Sequence, residues 1–188
     1  TVFVTGATGL IGYTLVSALA ELKYTLADPP KVLALVRDLE KAKSMFSACP
    51  QERLRFVVGD VNTPIKLEEK IDYIIHAASQ TSSKAFVDEP VDTIRTAIDG
   101  TVNMLELARD NEVKGFVYFS SMEVYGSPYT DEKIREDHGT NLDTMSVRTS
   151  YPEGKRMCEA LCTAYHAQYG VPAKVVRLTQ TFGPGVKY

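Results

Sequence analysis

Tyr151 and Lys155 stand four residues apart in "YPEGK", at the start of a segment with the apolar spacing of a helix. That spacing puts both side chains on one helical face, within reach of a single substrate atom. A phenol of pKa about 10 is a poor base at neutral pH, but a neighbouring ammonium favours the phenolate. The pair therefore suits removal of a proton from a hydroxyl. A second constellation is "TGATGLIG" (5–12), which follows the apolar run "VFV" and precedes the helical pattern "YTLVSALAEL". Gly6, Gly9 and Gly12 recur there every three residues where a strand should become a helix. A helix N-terminus offers unpaired N–H groups and the positive end of its dipole, and glycines let backbone approach a pyrophosphate. Thr8, Leu10 and Ile11 complete the loop expected to hold it.

These residues need a frame. Six short β-rich runs alternate with longer helical patterns: 1–5, 31–36, 53–58, 72–77, 115–121 and 173–178. The runs are nearly continuously apolar, as for strands covered on both faces. The predicted class is α/β: a doubly wound parallel sheet of Rossmann type, order 3-2-1-4-5-6, with helices on both faces. Helices are expected at about 10–23, 38–47, 91–111 and 149–169. "ADPPK" (27–31) breaks the chain between the first helix and second strand. The polar region 126–148 reads as a surface excursion, a place where function often sits.

The 188 residues, 44% hydrophobic and 24% charged, fit one soluble domain, 1–188. A net charge of −3, with cations scattered among acids, excludes a basic nucleic-acid footprint. No apolar stretch is long enough for a membrane span and no signal peptide is visible, so a cytoplasmic protein is expected. Cys158 and Cys162 lie one helical turn apart without a matching His or Cys pair; the thiols are expected to be buried, with no metal. His76 reads as a core histidine.

The glycine loop resembles that of the extended short-chain dehydrogenase/reductases, the NAD-dependent epimerase/dehydratase group. The likeness continues in register through "GDV" (59–61), "HAA" (76–78), "GTVNMLELA" (100–108), "FSSMEVYG" (119–126), "YPEGK" (151–155) and "FGPG" (182–185). It implies an NAD or NADP cofactor, with Asp60 and Val61 at the adenine and Ala77 and Ala78 on the ribose side. It also implies that Tyr151 is the base, that Lys155 holds the nicotinamide ribose, and that Ser121 bonds the substrate hydroxyl, Ser120 being its nearest rival.

The 4,6-dehydratases carry Thr-Asp-Glu where this chain has Ser121-Met122-Glu123, and Met122 has no proton to give. "PEGKR", "DVNTPI" and "DGTVNMLELAR" resemble the UDP-glucuronate decarboxylases. There, oxidation at C4 makes a β-keto acid that loses CO2, with Glu123 in the assisting place. Epimerase chemistry begins with the same hydride transfer. Two residues depart from the pattern. Arg37 stands where NAD users carry an acid and matches a 2′-phosphate, with Lys41 or Lys43 as helpers, whereas Asp38 serves NAD if the strand ends one residue later. Ala97 replaces an Asn of the family's proton relay.

The resemblance implies a nucleotide-sugar substrate, a C-terminal substrate domain absent from this chain, and a homodimer through helices 91–111 and 149–169. The alternatives are an NADPH-dependent carbonyl reductase and a non-catalytic dinucleotide-binding module.

Overall fold

The computed structural model describes all residues except 25, 128, 129, 131 and 184–188; the end of "FGPG" lies outside the described residues. Six parallel strands form one sheet: β1 (Val2–Thr5), β2 (Val32–Val36), β3 (Leu54–Val58), β4 (Tyr73–His76), β5 (Gly115–Ser121) and β6 (Ala173–Leu178). Their order is β3-β2-β1-β4-β5-β6, as the alternation of strands and helices predicts. β1 lies between β2 and β4, with Val2 opposite both Val32 and Tyr73. The connections leave β1 toward β2 and return on its other side at β4. The C-terminal ends of β1 and β4 therefore flank the crevice where such sheets bind ligands.

The described residues also form five α-helices: α1 (Leu10–Glu21), α2 (Leu39–Met45), α3 (Ala85–Asp88), α4 (Pro90–Asp110) and α5 (Ser150–Tyr169). Pro90 opens α4, where a fixed φ suits the first turn and no amide partner is lost. Gly170 closes α5 in the left-handed region at φ 74°.

Side chains alternate across a strand, so each strand serves two cores. Val2 and Val4 join Val16 of α1, Ala42 of α2 and Phe46 beyond it on one face. Phe3, Ile74, Phe116 and Tyr118 face Met104 and Leu105 of α4 and Cys158 and Cys162 of α5 on the other.

Cover on both faces holds for β1 and β2, which are buried throughout. It does not hold at the other end of the sheet. β5 alternates buried and half-buried residues, and Val175 and Val176 of β6 are 37% and 40% exposed. The reason is placement: β6 is the edge strand, with Val175 beside Tyr118 on the face of α4 and α5 and Val176 beside Phe119 on the other face, and both faces thin out there.

The excursion 126–148 lacks α-helix and strand among its described residues and is pinned at two places. Asn141 bonds both the amide and the carbonyl of Ser127, and Arg177 of β6 donates to the Glu136 carbonyl at 2.8 Å.

Candidate active site

The glycine loop is built for close backbone approach. Gly6 takes φ +67°, a left-handed conformation that costs an L-residue energy, and a Cβ there would lie 2.7 Å from the Ala77 carbonyl. A Cβ on Gly12 would lie 2.1 Å from the Gly6 carbonyl oxygen, so only glycine lets the first turn of α1 close over the loop. Gly9 caps α1 without a side-chain hydrogen bond, and no acid stands in the first turn. The N–H groups that open α1 thus meet no carboxylate from the helix's own first turn, and half-buried Thr8, Leu10 and Ile11 flank them. This is the donor set an anionic pyrophosphate needs.

Ala77 and Ala78 follow β4 and abut this loop, and the Ala78 amide donates to Thr5 Oγ1 at 3.1 Å. Asp60 lies just past β3, half exposed, with Oδ1 accepting the Asn62 amide at 2.9 Å. Val61 is different. Its side chain is buried against Gly100 of α4, and its carbonyl accepts from Asn103 Nδ2. Only the backbone of Val61 is left for an adenine.

The acid-base residues meet where β5 ends. Ser121 Oγ accepts the Glu123 amide at 3.2 Å and lies beside the Tyr151 phenol. Ser120, on the opposite side of the strand, is buried and donates to Glu159 Oε1 at 2.5 Å. Glu159 is in turn held bidentately by Arg177. The neighbouring serines therefore have separate duties: Ser121 faces the phenol, and Ser120 ties β5 to α5.

Lys155 is buried, and its Nζ donates to the Phe119 carbonyl at 2.7 Å, 4.8 Å from the Tyr118 ring centroid and 5.8 Å from that of Tyr151. Loss of water holds its ammonium down at about 8. Burial also pushes the Tyr151 phenol up; the neighbouring Ser121 hydroxyl and the Arg148 charge pull it down, and Glu123 opposes them. The Tyr151–Lys155 spacing gives Lys155 the work of favouring phenolate. Ser121 and Arg148 act in that sense but burial outweighs them, while Lys155 is held by the Phe119 carbonyl.

Arg148 and Phe86 are the residues sequence reasoning missed. Arg148 Nη2 pairs with Glu123 Oε2 at 2.9 Å, and its guanidinium lies 5.0 Å from the Phe86 ring centroid. Phe86 stacks on Tyr151, with centroids 4.3 Å apart and planes at 10°. One guanidinium thus holds the carboxylate and backs the stack behind the phenol. Arg148 precedes Tyr151 by three residues, a spacing that hints at a shared face, whereas nothing in the sequence pointed to Phe86.

A buried polar chain joins the two parts of the site. The Ala78 amide donates to Thr5 Oγ1, which lies 2.7 Å from His76 Nδ1; His76 Nε2 lies 3.2 Å from Thr101 Oγ1. Thr101 donates to Cys158 Sγ, and Cys158 donates to the Ala97 carbonyl at 3.1 Å. One proton order satisfies every member: Thr5 donates to Nδ1, and His76 carries its proton on Nε2. Burial holds the imidazole at about 3, so it is neutral. Ala97 itself packs where α4 and α5 approach, and a Cβ on Gly154 would be 3.3 Å from its own.

Residues 2–188 match the model of the NAD dependent epimerase/dehydratase family. The chain belongs to this family. It is 32% identical over 184 residues to UDP-glucuronic acid decarboxylase 6 of Arabidopsis thaliana, covering 97% of this chain and 51% of that protein. It is 36% identical over 133 residues to UDP-glucuronic acid decarboxylase 1 of Xenopus tropicalis, covering 71% of this chain and 31% of the relative. The chain thus spans about half or less of the length of these relatives. Among solved structures, a dTDP-glucose 4,6-dehydratase from Streptomyces venezuelae with NAD bound superposes with TM-score 0.81 at 26% identity, over 97% of this chain and 56% of that one. The family is one of nucleotide-sugar epimerases, dehydratases and decarboxylases. Among the described residues, no helix is long and apolar enough to cross a membrane.

Proposed function

We propose that this chain forms the dinucleotide-binding and acid-base part of an enzyme acting on a nucleotide sugar at C4, of the decarboxylase or epimerase kind. The observation that carries the reading is the placement of Ser121 beside the Tyr151 phenol, one helical turn from Lys155, at the sheet edge that also bears the glycine loop. A nicotinamide cofactor held there by the N–H groups of α1 supplies the hydride acceptor. Ser121 holds the sugar hydroxyl, and Tyr151 takes its proton. Lys155 lies where it exchanges the Phe119 carbonyl for a ribose hydroxyl. A ketone at C4 stands β to a C6 carboxylate, so the C5–C6 bond releases CO2 and its electron pair flows into the carbonyl. Glu123, held by Arg148, borders that position. Met122 cannot protonate a leaving hydroxyl, which disfavours water elimination.

Support also comes from two relatives named as UDP-glucuronic acid decarboxylases. The dimer is part of the proposal: Val91, Ile94 and Met157 leave apolar surface on α4 and α5 at 64%, 37% and 51% exposure. Arg37 alone favours the carbonyl reductase.

The test is turnover of a panel of UDP-, dTDP-, GDP- and CDP-sugars, with CO2 and epimers both measured. Release of CO2 from UDP-glucuronate, lost by about 10²–10⁴-fold in Tyr151→Phe, is expected. Full activity in that variant would remove Tyr151 from the chemistry.

A further inference from the structure

We propose that the nucleotide pocket selects the dinucleotide phosphorylated on its adenosine 2′-hydroxyl, with Arg37 as the discriminating side chain. The inference rests on the dinucleotide-binding reading above. In a doubly wound sheet, a pyrophosphate at the first strand-to-helix loop sends the adenosine ribose toward the end of the second strand. An acid there reads a free 2′-hydroxyl, and an arginine accepts a 2′-phosphate.

β2 runs beside β1, with Ala34 opposite Val4, and it ends at Val36. Positions 37 and 38 are therefore the ones that meet the ribose. The two side chains are not equally free. Asp38 is the N-cap of α2, and its Oδ1 accepts the Lys41 amide at 3.0 Å. That carboxylate is turned into the helix it starts. An NAD-binding role for Asp38 needs the strand to run one residue further, and β2 stops at Val36.

Arg37 is 84% exposed, and its ion pair to Asp60 is long, with Nη1 to Oδ2 at 3.9 Å. Asp60 also holds the Asn62 amide through its other oxygen. The neighbouring acid Glu40 is taken by Lys43 at 2.9 Å. The guanidinium is thus weakly tethered at the ribose edge. A planar fork of N–H donors matches a phosphate bidentately and gains little from a neutral hydroxyl. The choice departs from the NAD in the dehydratase structure and from the family's own name.

Calorimetric titration of the purified protein tests this with four probes: NAD⁺, NADP⁺, adenosine 2′,5′-bisphosphate and 5′-AMP. NADP⁺ is expected to bind at least about tenfold tighter than NAD⁺, and the bisphosphate tighter than AMP by a similar factor, as a charge-assisted bidentate contact allows. The exposed substitution Arg37→Ala should erase both differences while leaving NAD⁺ affinity unchanged, and Arg37→Lys should keep part of them. Equal affinities, a preference for NAD⁺, or equal weakening of both dinucleotides in Arg37→Ala would overturn the assignment. Binding of NAD⁺ alone overturns it while the dinucleotide-binding reading stands; binding of neither dinucleotide overturns both.

Discussion

The two faces of the sheet are built from different materials. Among the described residues, the buried side chains of the face under α1 and α2 are apolar: Val2, Val4, Val16, Val32, Ala34, Ala42, Phe46 and their neighbours. The face under α4 and α5 buries Thr5, His76, Thr101, Ser120 and Lys155 beside its hydrocarbon. Apolar burial stabilises without direction, whereas each buried polar group must find a partner or cost free energy. One face therefore supplies stability, and the other spends some of it to fix groups near the site. The glycine loop sits where the two meet, since β1 sends Val4 to the first face and Thr5 to the second.

The largest effect expected on the apolar face comes from Phe46→Ala. Phe46 is fully buried and packs against Tyr13 and Phe56, with ring centroids 5.1 and 5.7 Å away. Deleting the ring should cost about 3–5 kcal/mol in equilibrium denaturation, with dinucleotide affinity unchanged while the protein is folded. Loss of affinity without loss of stability would break the comparison.

The polar face should respond in the opposite sense. Lys155 falls from its ordinary 10.5 to about 8, so in the fold it loses its proton through that lower value while the unfolded chain keeps it to 10.5. The unfolded state then binds more protons between about pH 8 and 10.5, and stability on this account rises with pH across the window. Below it the full penalty is present. Lys155→Met is expected to abolish turnover and to raise stability at neutral pH by up to about 3 kcal/mol, less the lost bond to Phe119. It should also flatten the rise between pH 8 and 10.5. A variant less stable than the wild type would show that the lysine stabilises the face it is buried in.

His76 gives the acid counterpart. It stays neutral in the fold down to about 3, while the unfolded chain takes up a proton from 6.5 downward. Stability should fall as the pH drops below 6.5, by about 2 kcal/mol on reaching pH 5. His76→Gln, read by urea denaturation across that range, should show a shallower dependence. An unchanged slope would place the acid sensitivity elsewhere.

What the sequence revealed and what it hid follow the same division. Strand order, the glycine loop and the Tyr151–Lys155 spacing depend on local periodicity and on backbone needs that only glycine meets. Those were readable. The partners of Tyr151 were not, because Phe86 comes from a four-residue helix 65 positions away in the chain and Arg148 from a single 3₁₀ turn that ends a stretch without periodic pattern. Nor could spacing reveal that Lys155 is spent on the Phe119 carbonyl; that depends on how far α5 lies from β5. Arg37 and Asp38 mark the boundary between the two cases. Their residue types were visible, but which one faces the ribose depended on where β2 stops and α2 begins.

That boundary carries the smallest expected effect. Asp38→Ala removes the side-chain cap of a seven-residue helix on the apolar face and should cost about 1 kcal/mol. Because the carboxylate serves the Lys41 amide, NAD⁺ and NADP⁺ affinities should both stay within about twofold of the wild type. Thermal denaturation and calorimetry on the same variant separate the two duties. A selective loss of NAD⁺ binding would mean that Asp38 leaves its cap for a ribose hydroxyl, and the stability lost by capping would then be part of what the nucleotide must overcome.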